Sequence, residues 1–173
     1  MLIININGPI NAGKSTVCRL LAKDLPDCLF IEVDDLLSDT EQETLELDFM
    51  GGIMERLRRL DRQIAAEKKS ARHRIILFAY PMTKDNYCRW KKFEDVQTKF
   101  VNITLSPTLS ACLTDRGNRV LDDWEKKRIR QMYDEKYHCP EQSDLIIDNT
   151  EQTPEQTVEK IIRFLKKIKP FCF

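Results

Sequence analysis

The chain has 173 residues, enough for one α/β domain with a sizeable core and short for two. Hydrophobic residues make up 42% of it, which excludes a disordered chain, and 28 basic residues balance 28 acidic ones, which excludes a global basic field for nucleic acid or an anionic membrane. Cys18, Cys28, Cys88, Cys112, Cys139 and Cys172 form no CxxC pair and only two histidines accompany them, so a disulfide scaffold or zinc site is disfavoured and reduced thiols in a cytoplasmic protein are expected.

Residues 2–7 read as a buried strand interrupted by Asn5 and Asn7; the apolar run Leu2 to Ile6 is too short to span a membrane and has no basic leader. Gly8 to Gly13 form a turn, and a helix runs from Lys14 to Leu25, ended by Pro26 and Asp27. Leu29 to Val33 are a second strand ending at Asp34 and Asp35. A polar, acidic stretch from Ser38 to Glu46 precedes a long helix whose Met50, Ile53, Leu57, Leu60 and Ile64 share one face, with charge from Lys68 to Arg74 closing it.

Ile75 to Tyr80 are a third strand stopped by Pro81, Asp85 to Phe93 a short helix, and Phe100 to Leu105 a fourth strand. A helix starting at Leu109 to Leu113 breaks at Arg116 and Gly117, and another spans Trp124 to Tyr137. Leu145 to Ile147 are a short fifth strand, and Pro154 suits the first turn of a last helix with Val158, Ile161, Ile162, Leu165 and Ile168 on one face. Short apolar strands alternating with helices predict a mostly parallel sheet covered on both sides, in one domain spanning 1–173.

The strongest local pattern is Gly8-Pro9-Ile10-Asn11-Ala12-Gly13-Lys14-Ser15, which fits GxxxxGK(S/T) in full and sits between a strand and a helix. A glycine-containing turn can aim backbone N–H groups at a compact anion, and the helix start adds unpaired N–H groups and its dipole. Lys14 can reach the β- and γ-phosphates of a nucleoside triphosphate, the Ser15 hydroxyl can ligate Mg²⁺, and Thr16 supports the phosphates or caps the turn.

Asp34 falls at the carboxyl end of the second strand, the edge that faces the ligand crevice in an open α/β sheet. A carboxylate there can orient an acceptor hydroxyl and take its proton; the alternative is a helix cap or solvated turn. Asp35 and Glu32 are weaker candidates, and Tyr80 either lines the acceptor pocket or packs in the core. The third strand ends without an acid, so magnesium is expected at Ser15, phosphates and waters, with Asp34 in its outer shell. Asp115-Arg116-Gly117-Asn118-Arg119 places two arginines at a bend, either a lid over the transferring phosphate or a charged surface turn, and Arg130 is an outside candidate for phosphate contact. Asp148-Asn149-Thr150 follows the last strand, as a base-contacting loop or a structural cap.

With Gly8 to Ser15, the Leu25-Pro26 stretch, Val33-Asp34-Asp35-Leu36, Arg116-Gly117-Asn118-Arg119, Asp144 and Asp148-Asn149-Thr150 in this order, the chain resembles the chloramphenicol phosphotransferase-like small P-loop kinases. More distantly it resembles shikimate kinase, gluconate kinase and nucleoside monophosphate kinases. The resemblance implies a P-loop NTPase fold with a five-stranded parallel sheet in order 2-3-1-4-5, helices on both faces and an arginine lid at about 114–124. It implies ATP and Mg²⁺ as cofactors and O-phosphorylation of a small-molecule acceptor; the balanced charge adds the expectation of no nucleic-acid or membrane partner. By the same likeness Asp34 activates the acceptor hydroxyl, Arg116 and Arg119 are lid residues with Arg119 also near the adenine, and the loop from Thr150 to Pro154 borders the base. Residues 40–72 carry no antibiotic-pocket signature, so chloramphenicol does not follow as substrate. A nucleotide kinase would need extra cations over the acceptor, with Arg56, Arg58 and Arg59 as candidates, and a nucleotide-dependent switch would need no Asp34.

Overall fold

A computed structural model describes residues 1–114 and 120–168. Five strands, β1 (Leu2–Asn7), β2 (Cys28–Ile31), β3 (Ile75–Ala79), β4 (Lys99–Leu105) and β5 (Leu145–Ile147), form one sheet in the order β2-β3-β1-β4-β5, and each neighbouring pair is parallel. The helices are α1 (Lys14–Asp24), α2 (Asp39–Thr44), α3 (Phe49–Ser70), α4 (Lys84–Lys91), α5 (Leu109–Cys112), α6 (Asp123–Asp134) and α7 (Pro154–Leu165).

The period-2 alternation of β1 divides the core between the two faces of the sheet. Leu2, Ile4 and Ile6 join Val17, Leu21, Val158, Ile161 and Leu165 in one cluster with α1 and α7. Ile3 joins Leu57, Leu60, Ile64, Phe78, Trp90 and Phe100 in the other, with α3 and α4. Trp90 is fully buried there, with its ring edge-on to Phe78 at 4.8 Å between centroids.

Several boundaries differ from the sequence expectation, each for a local reason. β2 ends at Ile31, and Val33 turns to helical angles so that Asp34–Leu36 form a short 3₁₀ turn; Leu36 N donates to Val33 O at 3.2 Å. The polar stretch after it contains α2. Ser38 Oγ accepts from Glu41 N at 3.2 Å and Glu41 Oε2 accepts from Ser38 N at 3.2 Å, a capping box that the Ser-x-x-Glu spacing encodes. α6 stops at Asp134 because Lys136 adopts φ 61° and Tyr137 N closes the end on Met132 O at 2.9 Å.

Asn5 and Asn7 do not weaken β1. Their carboxamides build the edge of the sheet where the strands' carboxyl ends converge. Asn5 Oδ1 accepts from Tyr80 N at 2.9 Å while its Nδ2 donates to Tyr80 O and to Asn102 Oδ1. Asn7 Oδ1 accepts from Met82 N at 2.8 Å, and its Nδ2 donates to Thr104 Oγ1 and Tyr137 O, both at 2.9 Å. All four polar side chains, Asn5, Asn7, Asn102 and Thr104, are fully buried. The network holds the chain after β3 and the segment after α6 in place without further strand pairing. Asn7→Leu strands the Met82 N–H and the Tyr137 carbonyl, and at 1–3 kcal/mol for each unsatisfied group about 3 kcal/mol of stability is expected to be lost, read by urea unfolding.

Candidate active site

The turn after β1 depends on two glycines for different reasons. Gly8 has φ 147°, and a Cβ on it would stand 2.6 Å from the Leu105 carbonyl oxygen of β4. Gly13 has φ 88° with open space around an added Cβ, so its need is conformational. Gly8→Ala is therefore expected to shift the loop and weaken nucleotide binding by more than about ten-fold, with Gly13→Ala milder, as measured by nucleotide titration.

Between the glycines the loop is fastened from outside. Asn11, at φ 64°, donates through Nδ2 to Cys112 O at 3.0 Å and Thr114 O at 2.9 Å. The Ala12 carbonyl accepts from Asn149 Nδ2 at 3.0 Å. Lys14 Nζ donates to Pro9 O at 2.7 Å, folding the side chain back across its own loop. Gly13 offers no side-chain cap, and the first turn of α1 holds no acidic residue, so this helix start is open to an anion.

A cavity of about 540 Å³ lies against this loop, lined by Asn11 to Val17 and, from the far side, by Asn149, Gln152, Pro154 and Thr157. Gly8 and Pro9 are buried beneath it, and Ile10 packs against the core. Ser15 is half-buried and Thr16 exposed, both on the cavity wall. Thr150 is not among the lining residues. Its Oγ1 donates to Asp148 Oδ1 at 2.6 Å and accepts from Thr108 N at 2.9 Å, so it stabilises the turn that presents Asn149 and Gln152. The hydrogen bonds from Thr150 hold the Asp148 carboxyl below its usual range.

A second cavity, of about 710 Å³, is lined by Asp34, Asp35, Asp39, Arg56, Tyr80 and the apolar Leu37, Phe49 and Ile53, with Ser38 at its edge. The 3₁₀ turn after β2 carries Asp34 out of the strand, exposed and without a hydrogen-bond partner among the described residues. Tyr80 is set by Asn5 at the end of β3. Burial raises its phenol above the ordinary value and the Asp34 carboxylate raises it further. Glu32 instead pairs with Arg19 at 2.9 Å.

The three candidate arginines on α3, Arg56, Arg58 and Arg59, part ways. Arg58 grips Glu55 through Nε and Nη2, both at 2.6 Å, and Arg59 reaches the same carboxylate at 2.9 Å, holding it at about 2. Arg59 also donates to Leu36 O at 2.8 Å. Only Arg56 lines the cavity, and it donates to Leu37 O at 3.2 Å and Gln42 Oε1 at 3.3 Å. Arg130 is exposed and donates back to Lys126 O of its own helix at 3.2 Å. Arg116 and Arg119 lie outside the described residues.

Both cavities open at the carboxyl ends of parallel strands: the loop after β1, Asp34 after β2, Tyr80 after β3 and Asn149 after β5. Sequence reasoning missed the roles of Asn5 and Asn7, for which the signal was their period-2 placement with Ile3. It placed Asn149 and Gln152 in the loop expected at the base without singling either of them out.

A parallel sheet in this order with a GxxxxGK(S/T) loop after its central strand defines a P-loop kinase. The shikimate kinase family model matches residues 10–166; the chain belongs to that family and is an ATP-dependent phosphotransferase acting on a small molecule. It is similar in fold to a sugar kinase from Janibacter sp. HTCC2649, at 17% identity over 98% of this chain and 95% of that one, with a TM-score of 0.67. A gluconokinase from Sinorhizobium meliloti 1021 is similar at 14% identity over 95% and 91%, with a TM-score of 0.68. A shikimate kinase from Bacteroides thetaiotaomicron is similar at 14% identity over 96% and 97%, with a TM-score of 0.60. Comparison with curated proteins gave no match. No helix among the described residues is long and apolar enough to cross a membrane.

Proposed function

We propose that this kinase moves the γ-phosphoryl group of ATP onto an acceptor hydroxyl, with Asp34 as the residue that orients and deprotonates that hydroxyl. The observation that carries the reading is the pairing of the two cavities at one sheet edge, one against a phosphate-binding loop and the other holding an unpartnered, exposed carboxylate.

The backbone from Gly8 to Thr16 cradles the phosphates, and Lys14 leaves the Pro9 carbonyl to meet the β- and γ-oxygens. The Ser15 hydroxyl suits a hard cation that keeps phosphate and water oxygens as its other ligands, so Mg²⁺ entering with the nucleotide would take Ser15 as its protein ligand and neutralise charge on those phosphates. In the transfer the acceptor oxygen forms its bond to Pγ, the bond from Pγ to the β–γ bridging oxygen breaks, ADP leaves, and the acceptor proton passes to Asp34. Arg116 and Arg119 serve as lid cations over the transferring group, in a single domain spanning 1–173 with its lid at about 114–124. Asn149, Gln152 and Pro154 border the base, and Thr150 acts on it through the turn it stabilises.

A nucleotide-phosphate acceptor is less well supported, because Arg58 and Arg59 are occupied by Glu55. Incubation with ATP-Mg²⁺ and a chemically varied set of alcohols, with products read by mass, tests the reading: a phosphorylated alcohol is expected, and phosphorylation confined to nucleoside monophosphates would contradict it.

A further inference from the structure

The matched families share a scaffold; what this chain accepts is set by the second cavity. Three features of that cavity concern charge and polarity. First, the cations close to it are committed. Arg58 and Arg59 are held by Glu55, and Arg56 directs Nη1 at Gln42 Oε1 and Nη2 at Leu37 O, with Asp39 Oδ1 3.9 Å away. Arg56 Nε is buried without a hydrogen-bond partner among the described residues, so a carboxylate or phosphate would have to be gripped through the Nη1 and Nη2 atoms that already carry these bonds. Second, three carboxylates, Asp34, Asp35 and Asp39, line the cavity against that one guanidinium, so its described lining is net negative. The γ-phosphate delivered from the neighbouring loop adds to the same sign. Third, the cavity also has apolar lining: Leu37, Ile53 and Phe49, the last at the first position of α3 and 70% exposed. An aromatic ring left this open gains from an apolar surface laid over it.

We propose that the natural acceptor is an alcohol that presents an uncharged apolar group to Phe49 and Ile53 and carries no carboxylate or phosphate. The proposal rests on the assignment of this cavity as the acceptor site. An anionic acceptor would meet a described lining of its own sign, whose one guanidinium already carries partners. An uncharged alcohol places its hydroxyl at Asp34 and its apolar body over Phe49, and a cationic substituent is tolerated at the Asp35 and Asp39 rim.

The test uses matched probes: cyclohexylmethanol bearing a ring carboxylate, carboxamide or aminomethyl group. Binding is followed by ligand-observed NMR with a non-hydrolysable ATP analogue and Mg²⁺ present, and transfer by product mass with ATP-Mg²⁺. The carboxamide and the amine are expected to bind roughly ten-fold or more better than the carboxylate at low ionic strength, where repulsion between like charges is least screened. The double variant Asp35→Asn with Asp39→Asn is expected to narrow the gap, and Phe49→Ala to weaken carboxamide binding roughly five-fold with ATP binding unchanged. Carboxylate binding equal to or tighter than carboxamide binding overturns the proposal, whether or not transfer occurs. No binding by any probe overturns it together with the acceptor assignment. The expected binding order without transfer to any probe leaves the proposal standing and counts against the role of Asp34.

Discussion

Asp34→Asn is expected to lower phosphoryl transfer by about 10²–10⁴-fold while leaving ATP-Mg²⁺ affinity within about two-fold of the parent, the range for loss of a positioned general base. The split follows from where the residue stands. Asp34 lies on the 3₁₀ turn that lines the second cavity, and it is absent from the wall of the cavity against the phosphate loop. Asparagine keeps the shape and can still accept a hydrogen bond from the acceptor hydroxyl, but it cannot take the proton. Because Asp34 is exposed and carries no hydrogen bond among the described residues, the substitution leaves no buried group unpaired and the fold stays intact. The check is a pair of measurements on one preparation, product formation by mass and nucleotide affinity by calorimetry. Equal transfer by the variant would remove Asp34 from the reaction; a parallel loss of nucleotide affinity would place it in the phosphate site instead.

Lys14→Ala is expected to act on the other side of the transfer. On the proposed reading, the ammonium that now bonds the Pro9 carbonyl at 2.7 Å exchanges that carbonyl for phosphate oxygens and concentrates positive charge where charge builds in the transition state. Its removal is expected to cut turnover by about 10²–10³-fold and weaken ATP binding by more than about ten-fold, since both ground and transition states lose the contact. Besides the Lys14–Pro9 bond, the loop is held by Asn11 and Asn149 and by the conformations of Gly8 and Gly13. The variant should therefore melt within a few degrees of the parent. Full turnover with unchanged ATP affinity would contradict the role given to Lys14.

The architecture was legible because its signals are strong and local. Short apolar strands separated by amphipathic helices left few alternatives to a parallel sheet. The last helix opened at Pro154 as expected, with Thr153 and Gln156 capping it in a reciprocal box. Boundaries governed by a single residue's backbone angles were harder. Val33 carries a β-branched side chain that favours a strand, yet it takes helical angles, with Val33 and Leu37 both buried on either side of the Asp34 turn. α2 was hidden by its composition: its residues have no apolar stripe, and only the Ser38–Glu41 box and the lock of Gln42 against Arg56 reveal it.

The site divided in the same way. A phosphate loop is a contiguous motif, so one sequence window contains it. The groups that give it a fixed shape come from far along the chain, Asn149 to Ala12 across 137 positions and Asn7 to Tyr137 across 130. No local pattern announces such pairs. Asn5 and Asn7 read as interruptions of an apolar strand because the strand's own sequence does not show what lies opposite. The fates of Arg56, Arg58 and Arg59 were likewise undecidable from adjacency, since one glutamate three and four residues away claims two of them.

The most direct test of the account is a structure of the protein with a non-hydrolysable ATP analogue and Mg²⁺. The account predicts the triphosphate along the backbone from Gly8 to Thr16, Lys14 Nζ moved from the Pro9 carbonyl onto the β- and γ-oxygens, and the γ-phosphate facing the cavity that holds Asp34. A triphosphate bound elsewhere, or a γ-phosphate turned away from Asp34 with Lys14 still on Pro9, would contradict it.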